Sequence, residues 1–566
     1  MSEKKEDFVP KKYFYYEKEK DINKTRVKFN FGFLPSFNLK TLFIILVLGF
    51  MIHSFQKIIS FSYLLDLFNK IIFSQHRKLL IINFLIIFAF LVYYFKKRKP
   101  VYIVDFTVWR GEKGMELTPK WMIEGSRLVG KYTEDSINFM ERLLSRSGLS
   151  EQVYIAKGLL TTPFDTSYQA ARDELELLFT GSIDELFETT GIKPSQIDFL
   201  VCNCSLFNPT PSICATIINH YKMKESILSF NLAGMGCSAG LLSVKLGSEL
   251  LQNRPNSYCL IFSTENVTKN WYFGNERSML IPNILFRAGA SAVLLTNKKF
   301  GVSHKYELDT IVTTHHGKDD QAFKSIYHME DSQGNTGVFL SRDLMKVVSK
   351  ALRSNMTSLG SKILPISEIT KYLINFALRK FLKRKIEPYQ PDFKKAIQHF
   401  CIHAGGRGIL DGIEKDLKLN EYQMEPSRAS LYRYGNTSSA SIWYEFAFIE
   451  GRGNMKYGDK IWQIALGSGF KVNSAVWKSL ISIPKTNVKP TFPEDEIKDE
   501  IKDNSNENSN ENSNENSNEN SNENSNENSN ENSNENSNEN SNEIKDEIKD
   551  EIKGESNEIK DDSNEK

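Results

Sequence analysis

The sequence predicts a layered α/β protein, and three observations lead to that class. From Val101 to about Leu480, short runs rich in β-branched and apolar residues alternate with stretches of helical periodicity, the pattern of a buried sheet covered by helices. Ahead of this region stand two unbroken apolar runs. Behind it lies a polar repeat with almost nothing to bury. Of the 566 residues, 1–38 are expected to form a polar basic segment, 39–99 two transmembrane helices, 100–482 the folded body and 483–566 an acidic disordered tail.

The first apolar run is Thr41–Phe55; the second, Leu79–Phe95, is closed by Lys96, Lys97, Arg98 and Lys99. The second is 17 residues long, at the short end of the roughly 17–25 that span a bilayer. Apolarity on every face with a terminal basic cluster favours membrane helices over buried core helices. The charged and polar residues before the first run argue against a secretory signal. Basic residues lie before, within and after the hairpin, a modest bias that places both ends in the cytosol. The glycosylation sequon Asn436-Thr437-Ser438, set among candidate site residues, is awkward for a lumenal enzyme.

Within the body, strands are expected around 197–201, 227–230, 258–262, 291–295, 400–403 and 461–466. The stretch 340–385 is basic and amphipathic, open both to a membrane surface and to a helix that covers the domain. The tail carries ten Asn-Ser-Asn-Glu repeats over 504–543; from Glu494 onward it has 25 acidic residues against 7 Lys, a net charge of −18. Since the whole chain is +2, the part before Glu494 carries about +20. A basic body suits a membrane surface, a polyanionic nucleotide substrate or nucleic acid, and charge alone does not choose among them.

Six cysteines, Cys202, Cys204, Cys214, Cys237, Cys259 and Cys401, are spaced irregularly. That is no disulfide framework and fits a reducing compartment. Cys202-x-Cys204 lacks a second pair at zinc-ligand spacing, so no metal site is expected.

Four stretches carry chemistry. In FNLAGMGCSAGLLSVKLGSELL (230–251) a strand runs through glycines to Cys237 and into an amphipathic helix. Small neighbours permit a sharp turn and close approach of a substrate, and a helix N-terminus is expected to lower the thiol pKa. A nucleophilic cysteine and a structural one in a glycine-rich turn both fit. In HFCIHAGGR (399–407) period two puts His399, Cys401 and His403 on one strand face, with His403 where the strand gives way to glycines. In YGNTSSASIWYE (434–445) Gly435-Asn436-Thr437-Ser438 offers a carboxamide and hydroxyls in a turn, or Asn436 or Thr437 simply caps a helix. Leu466-Gly467-Ser468-Gly469-Phe470 is a glycine turn able to aim a backbone N–H at a thioester oxygen.

Together with STENVTKNWYFGNERSMLIPN (263–283), FRAGASAVLL (286–295), THHGKDD (314–320) and GSGFKVNSAVWK (467–478), these blocks resemble the plant-type very-long-chain 3-ketoacyl-CoA synthases, in order and spacing, from about Val101 to Leu480. The resemblance implies a thiolase-like αβαβα fold, usually a homodimer. It implies a triad of Cys237, His403 and Asn436, with Gly469, His315 and His399 as supporting residues. It also implies condensation of a long-chain acyl-CoA with malonyl-CoA, releasing CO2 and CoA, with no metal or other cofactor and no nucleic-acid partner. By the same resemblance the enzyme sits in the endoplasmic reticulum membrane, facing the cytosol, and works with elongase reductases and a dehydratase. A type III polyketide synthase-like enzyme that condenses repeatedly is the alternative. Two positions depart from the family pattern: Tyr432 stands where a second histidine is common, and Val472 where a cysteine is. The first bears on rate or chain-length preference; tyrosine can donate a hydrogen bond but takes no charge near neutral pH.

Overall fold

A computed structural model of the chain describes residues 99–151, 153–381 and 386–484, with 83–88 and positions 49, 53, 66 and 91 ahead of them. The basic segment 1–38, nearly all of the hairpin 39–99 and the tail from 485 lie outside the described residues. Among the described residues no helix is long and apolar enough to cross a membrane.

Thirteen strands are present among the described residues: β1 (Tyr102–Val108), β2 (Glu116–Leu117), β3 (Val153–Tyr154), β4 (Phe199–Asn203), β5 (Leu228–Leu232), β6 (Tyr258–Glu265), β7 (Gly289–Thr296), β8 (Tyr306–His315), β9 (Ile326–Glu330), β10 (Thr336–Leu340), β11 (His399–Ile402), β12 (Lys460–Gly467) and β13 (Lys471–Ser479). Nine of them join in the order β11-β12-β13-β8-β1-β7-β6-β4-β5. The order contains a repeat. β4 is parallel to β6, which is antiparallel to β7, which is antiparallel to β1. Likewise β11 is parallel to β12, which is antiparallel to β13, which is antiparallel to β8. The halves meet where β1 pairs β8 at Tyr102–Glu307 and Ile103–Tyr306.

The layers follow from side-chain alternation. On β6, Cys259 and Ile261 face one core while Tyr258, Leu260 and Phe262 face another. On β12, Ile461 and Ala465 face the first core, and Trp462, Ile464 and Leu466 a third. Strands buried on both faces need apolar cover on each side, which is why these runs read as continuously apolar. The shared core holds the helices Ala239–Asn253 and Ser441–Arg452, through Leu241, Val244, Ile442, Trp443 and Phe446. The helix Tyr168–Thr190 covers the first half; Leu344–Ile363 and Arg407–Leu417 cover the second. The result is helix, sheet, helix, sheet, helix.

The six expected strands all fall on β4, β5, β6, β7, β11 and β12, with ends displaced by a few residues. The stretch 340–385 divides. The helix Leu344–Ile363 covers the domain with Val348, Ala351, Leu352 and Leu359 buried, whereas in Ile366–Lys380 only Glu368 is fully buried.

The two central helices touch at their first turns, where a Cβ on Gly240 would lie 2.5 Å from the Ser439 carbonyl oxygen. Gly240→Ala is expected to push the halves apart and destabilise the protein by roughly 1–3 kcal/mol. Gly408→Ala, on an outer helix with open space around it, is expected to be neutral or to stabilise by about 0.4–1 kcal/mol. Thermal unfolding of the two variants beside the parent checks this; equal shifts would show that the contact at Gly240 relaxes freely.

Candidate active site

The duplicated topology puts two equivalent turns against each other. In the first half, β5 leads through Gly234 and Met235 to the 3-10 turn Gly236–Ser238, and then to the helix Ala239–Asn253. In the second, Asn436 and Thr437 lead to the 3-10 turn Ser438–Ala440 and the helix Ser441–Arg452. Gly236 has φ +64°, and a Cβ there would lie 2.5 Å from the Ser468 backbone nitrogen, so only glycine both takes the turn and admits the Gly467–Gly469 loop. Asn473 Nδ2 donates to the Ser238 carbonyl at 3.1 Å, and Lys471 Nζ to the Met235 carbonyl at 3.2 Å. Ser439 Oγ donates to Asn203 Oδ1 at 2.6 Å. These bonds stitch the halves at the site.

Cys237, His403, Asn436 and Gly469 line one cavity of about 340 Å³. Its remaining wall is largely apolar, with Leu285, Phe286, Val338, Leu340, Val348 and Ile409 among the lining residues. Of the six free cysteines, Cys237 alone is partly exposed; the other five are buried.

Asn436 is fixed twice over. Its backbone N–H donates to the Leu285 carbonyl at 2.8 Å, and its carbonyl accepts from Arg287 at 3.0 Å. Its Oδ1 accepts the Ser438 backbone N–H at 2.9 Å, so the amide nitrogen points the other way, toward the His403 loop, where it reaches the Gly405 carbonyl at 3.3 Å. His403 follows β11; its backbone N–H donates to the Ile464 carbonyl at 2.9 Å. The imidazole is buried with no partner at Nδ1 among the described residues, and burial pushes its pKa down to about 4. At neutral pH it is an uncharged ring, able to donate from one nitrogen.

The thiol departs from its expected state. Burial pushes Cys237 up to about 12; the Ser438 hydroxyl opposes the shift and the Glu265 carboxylate adds to it. The helix end is outweighed, because a thiolate enclosed by protein loses more solvation than a neighbouring turn restores. Cys237 is therefore a protonated thiol in the resting site.

Glu265 was not singled out in the sequence, and Ser438 only as one hydroxyl of the turn after Asn436. Ser438 Oγ lies 3.6 Å from Cys237 Sγ and 3.0 Å from Glu265 Oε2. Glu265, at the end of β6, also accepts the backbone N–H groups of Ser205 and Leu206 at 3.1 and 3.0 Å, and Cys204 Sγ lies 3.2 Å from it. This accounts for Cys204, while Cys202 belongs to the core of the first half. The available signal was the TEN tripeptide at a strand end, a carboxylate where the flanking strand is apolar.

The supporting histidines lie elsewhere. His315 is exposed at the end of β8, its Nδ1 accepting the Gly317 N–H at 2.9 Å, and its Cε1 would lie 3.9 Å from a Cβ on Gly469. It stands at the outer side of the Gly469 loop and is not among the cavity-lining residues. His399 begins β11, three residues and roughly 10 Å of strand from its last residue, and its Nε2 lies 3.2 Å from Asp459 Oδ2. That is a hydrogen bond at the far end of the strand from the cavity, a structural position, and burial holds the His399 imidazole below its ordinary pKa. Tyr432 is also absent from the cavity lining, and Val472 is buried in the core of the second half.

The family described as FAE1/Type III polyketide synthase-like protein matches residues 93–381, and the 3-oxoacyl-[acyl-carrier-protein] synthase III C-terminal family matches 393–479. Among solved structures, the C-terminal type III polyketide synthase domain of a type I/III hybrid from Dictyostelium superposes with TM-score 0.55 at 16% identity, covering 68% of this chain and 100% of that one. The 1,3,6,8-tetrahydroxynaphthalene synthase of Streptomyces coelicolor gives 0.54 at 16%, covering 67% and 100%. The architecture is thus the thiolase-like fold, and the protein is a condensing acyltransferase. 3-Ketoacyl-CoA synthase 11 of Arabidopsis thaliana is 48% identical over 73% of this chain and 81% of its own length, and 3-ketoacyl-CoA synthase 4 is 46% identical over 73% and 80%. The chain belongs to the 3-ketoacyl-CoA synthase family.

The neutral His403 has a thermodynamic consequence. Unfolding returns it to about 6.5 from about 4 in the native state, so below about pH 6.5 the unfolded chain binds a proton that the folded one does not. Its contribution to stability is complete above about pH 6.5 and falls as the pH drops toward 4, by roughly 2 kcal/mol at pH 5. His403→Gln should flatten that part of the acid-side loss. Unfolding free energies of parent and variant near pH 7.5 and pH 5 check it; parallel pH dependence would assign the loss to other groups.

Proposed function

We propose that the protein condenses a long-chain acyl-CoA with malonyl-CoA to give a 3-ketoacyl-CoA, CO2 and CoA, the first step of very-long-chain fatty acid elongation. The observation that carries this is one apolar cavity lined by an accessible thiol, a neutral imidazole and an oriented carboxamide. No metal or redox cofactor takes part. The apolar wall receives the alkyl chain. Cys237 Sγ attacks the acyl-CoA carbonyl; the C–S bond to CoA breaks, and the thiol proton leaves with the CoA sulfur. Because the thiol is protonated at rest, this proton moves during the attack and not before it.

Malonyl-CoA then enters. His403, from Nε2–H, and the Asn436 amide donate to its thioester oxygen and hold the negative charge that grows as CO2 departs. A neutral ring suits this role, since it donates a hydrogen bond without surrendering its proton to the enolate. The enolate carbon attacks the acyl-cysteine carbonyl, whose oxyanion is received by the backbone N–H groups of Cys237 and Gly469. Collapse expels the Cys237 thiolate, which is reprotonated, and releases the product. His315 stays outside these steps.

The product is a ketone two carbons longer than the substrate, and needs reduction, dehydration and reduction again to become a saturated chain. We therefore place the enzyme with elongase reductases and a dehydratase, as a homodimer in the endoplasmic reticulum membrane, anchored through 39–99 with its body in the cytosol. The support is the apolar runs and their basic flank. The sequon asparagines of the body, Asn203, Asn266, Asn355 and Asn436, are all buried, so the topology is tested by protease access in sealed microsomes and by the sequon Asn23-Lys24-Thr25 ahead of the hairpin; protection of the body or a glycan on Asn23 would overturn it.

Asn436→Ala is expected to accept a labelled acyl group on Cys237 yet release CO2 from malonyl-CoA roughly 100–1,000-fold more slowly. Cys237→Ala should accept no label. An Asn436→Ala enzyme that decarboxylates normally but is not acylated would overturn the division of roles. Product analysis with one acyl-CoA and excess malonyl-CoA separates this reaction from iterative condensation by the number of units added.

A further inference from the structure

The helix Ile366–Lys380 is oriented against the usual rule for a domain-covering helix. Its inward contacts are polar. Glu368 is 0% exposed, and its carboxylate is held by Lys395 Nζ at 2.5 Å, the Tyr389 hydroxyl at 2.5 Å and the Asp392 backbone N–H at 3.2 Å. One helical repeat on, Asn375 donates to the Glu387 carbonyl and accepts the Tyr389 N–H, each at 3.0 Å. Only Ile369 of its large apolar residues packs against the core of the second half.

The apolar stripe faces outward. Ile366, Leu373, Ile374, Ala377 and Phe381 fall at i, i+7, i+8, i+11 and i+15, one face of a helix. Ile366 is 82% exposed, Leu373 56%, Ile374 54% and Phe381 73%. Thr370, at i+4, is the one polar residue on this face, and a soluble surface does not keep such an apolar stripe without an occupant.

Charge identifies the occupant. Lys371, Arg379 and Lys380 are exposed along this helix, and its single acidic residue, Glu368, is the one folded inward, with Lys371 Nζ reaching it at 3.4 Å. An outward apolar stripe with Lys380 beside it, on a helix whose exposed charges are all cations with no exposed carboxylate, is the composition of a helix lying in a bilayer interface, with lysines and arginines toward the anionic headgroups. We propose that Ile366–Phe381 docks in the plane of an anionic lipid surface, its apolar stripe sunk about 5–10 Å below headgroup level. This second attachment fixes how the body stands on the membrane, and it is independent of the reaction proposed above; it shares with the proposed anchor only the need for a bilayer.

The test uses the full chain reconstituted into vesicles of phosphatidylcholine with or without phosphatidylserine. In a Cys237→Ala background, where the remaining cysteines are buried, Leu373→Cys and Phe300→Cys are each labelled with bimane. Phe300, 89% exposed on a loop after β7, serves as the comparison. The label at 373 should be quenched by lipids brominated in the acyl chain and shielded several-fold from aqueous iodide, more so with phosphatidylserine present, while the label at 300 stays open to iodide. Equal iodide access at both positions, on protein that floats with the vesicles, would overturn this inference and leave the anchor standing. Shielding at 373 without quenching by brominated lipid would assign the stripe to a protein surface, a second copy of the chain included, and overturn it too. Protein that fails to float would overturn both the docking helix and the anchor.

Discussion

Everything at the site depends on two helix-initiating turns, one from each half of a duplicated fold, being pressed together at the middle of the molecule. The turn at Gly236–Ser238 and the turn at Ser438–Ala440 stand at equivalent points of the repeated strand order, and the contact between them tolerates little more than backbone. Glycines 236 and 240 have no Cβ where one would strike Ser468 or Ser439, and Asn203 and Asn473 hold the seam by hydrogen bonds. A buried seam of this kind needs its polar groups matched, since each unmatched one costs on the order of 1–3 kcal/mol. Once the seam is closed, the thiol of one half and the carboxamide of the other lie on the same cavity without either being carried on a flexible loop.

Burial at that seam sets the electrostatics. Burial in the cavity wall raises the Cys237 thiol and lowers the His403 imidazole, so both groups rest uncharged. A charged thiolate–imidazolium pair would need solvation that this site lacks. An uncharged pair leaves the cavity receptive to an alkyl chain and reserves its hydrogen-bond donors for charge that appears only during reaction, where preorganised donors act most strongly. Glu265 sharpens the point. Its carboxylate satisfies backbone donors of the loop after β4 and touches Ser438, and its charge opposes ionisation of the thiol next to it.

Much of this was legible along the chain. Five of the six expected strands exist because their apolar runs are buried on both faces, a requirement the residues themselves display at Cys259–Phe262 and Ile461–Leu466; β5 is the exception, an edge strand with Leu228 half exposed. Cys237, His403, Asn436 and Gly469 stand at strand-to-glycine or glycine-to-helix junctions, where local rules already place exposed chemistry. His399 was misleading for a physical reason: period two gave it the same strand face as His403, but not the same end of the strand, and only the far end reaches the cavity.

What sequence alone determined was therefore everything governed by spacing of a few residues: strand and helix faces, the turn that exposes the thiol, the reversal of charge between body and tail. Tertiary structure decided what depends on contacts between distant residues. Ser438 meets Cys237 across 201 positions and Glu265 across 173, so neither contact leaves a periodic trace. The thiol's pKa was misread from the helix end alone, because desolvation depends on which walls surround the sulfur and not on its neighbours in the chain. The outward apolar face of Ile366–Lys380 was open for the same reason: periodicity shows that a helix has two faces, and only the partner that buries Glu368 shows which one turns inward.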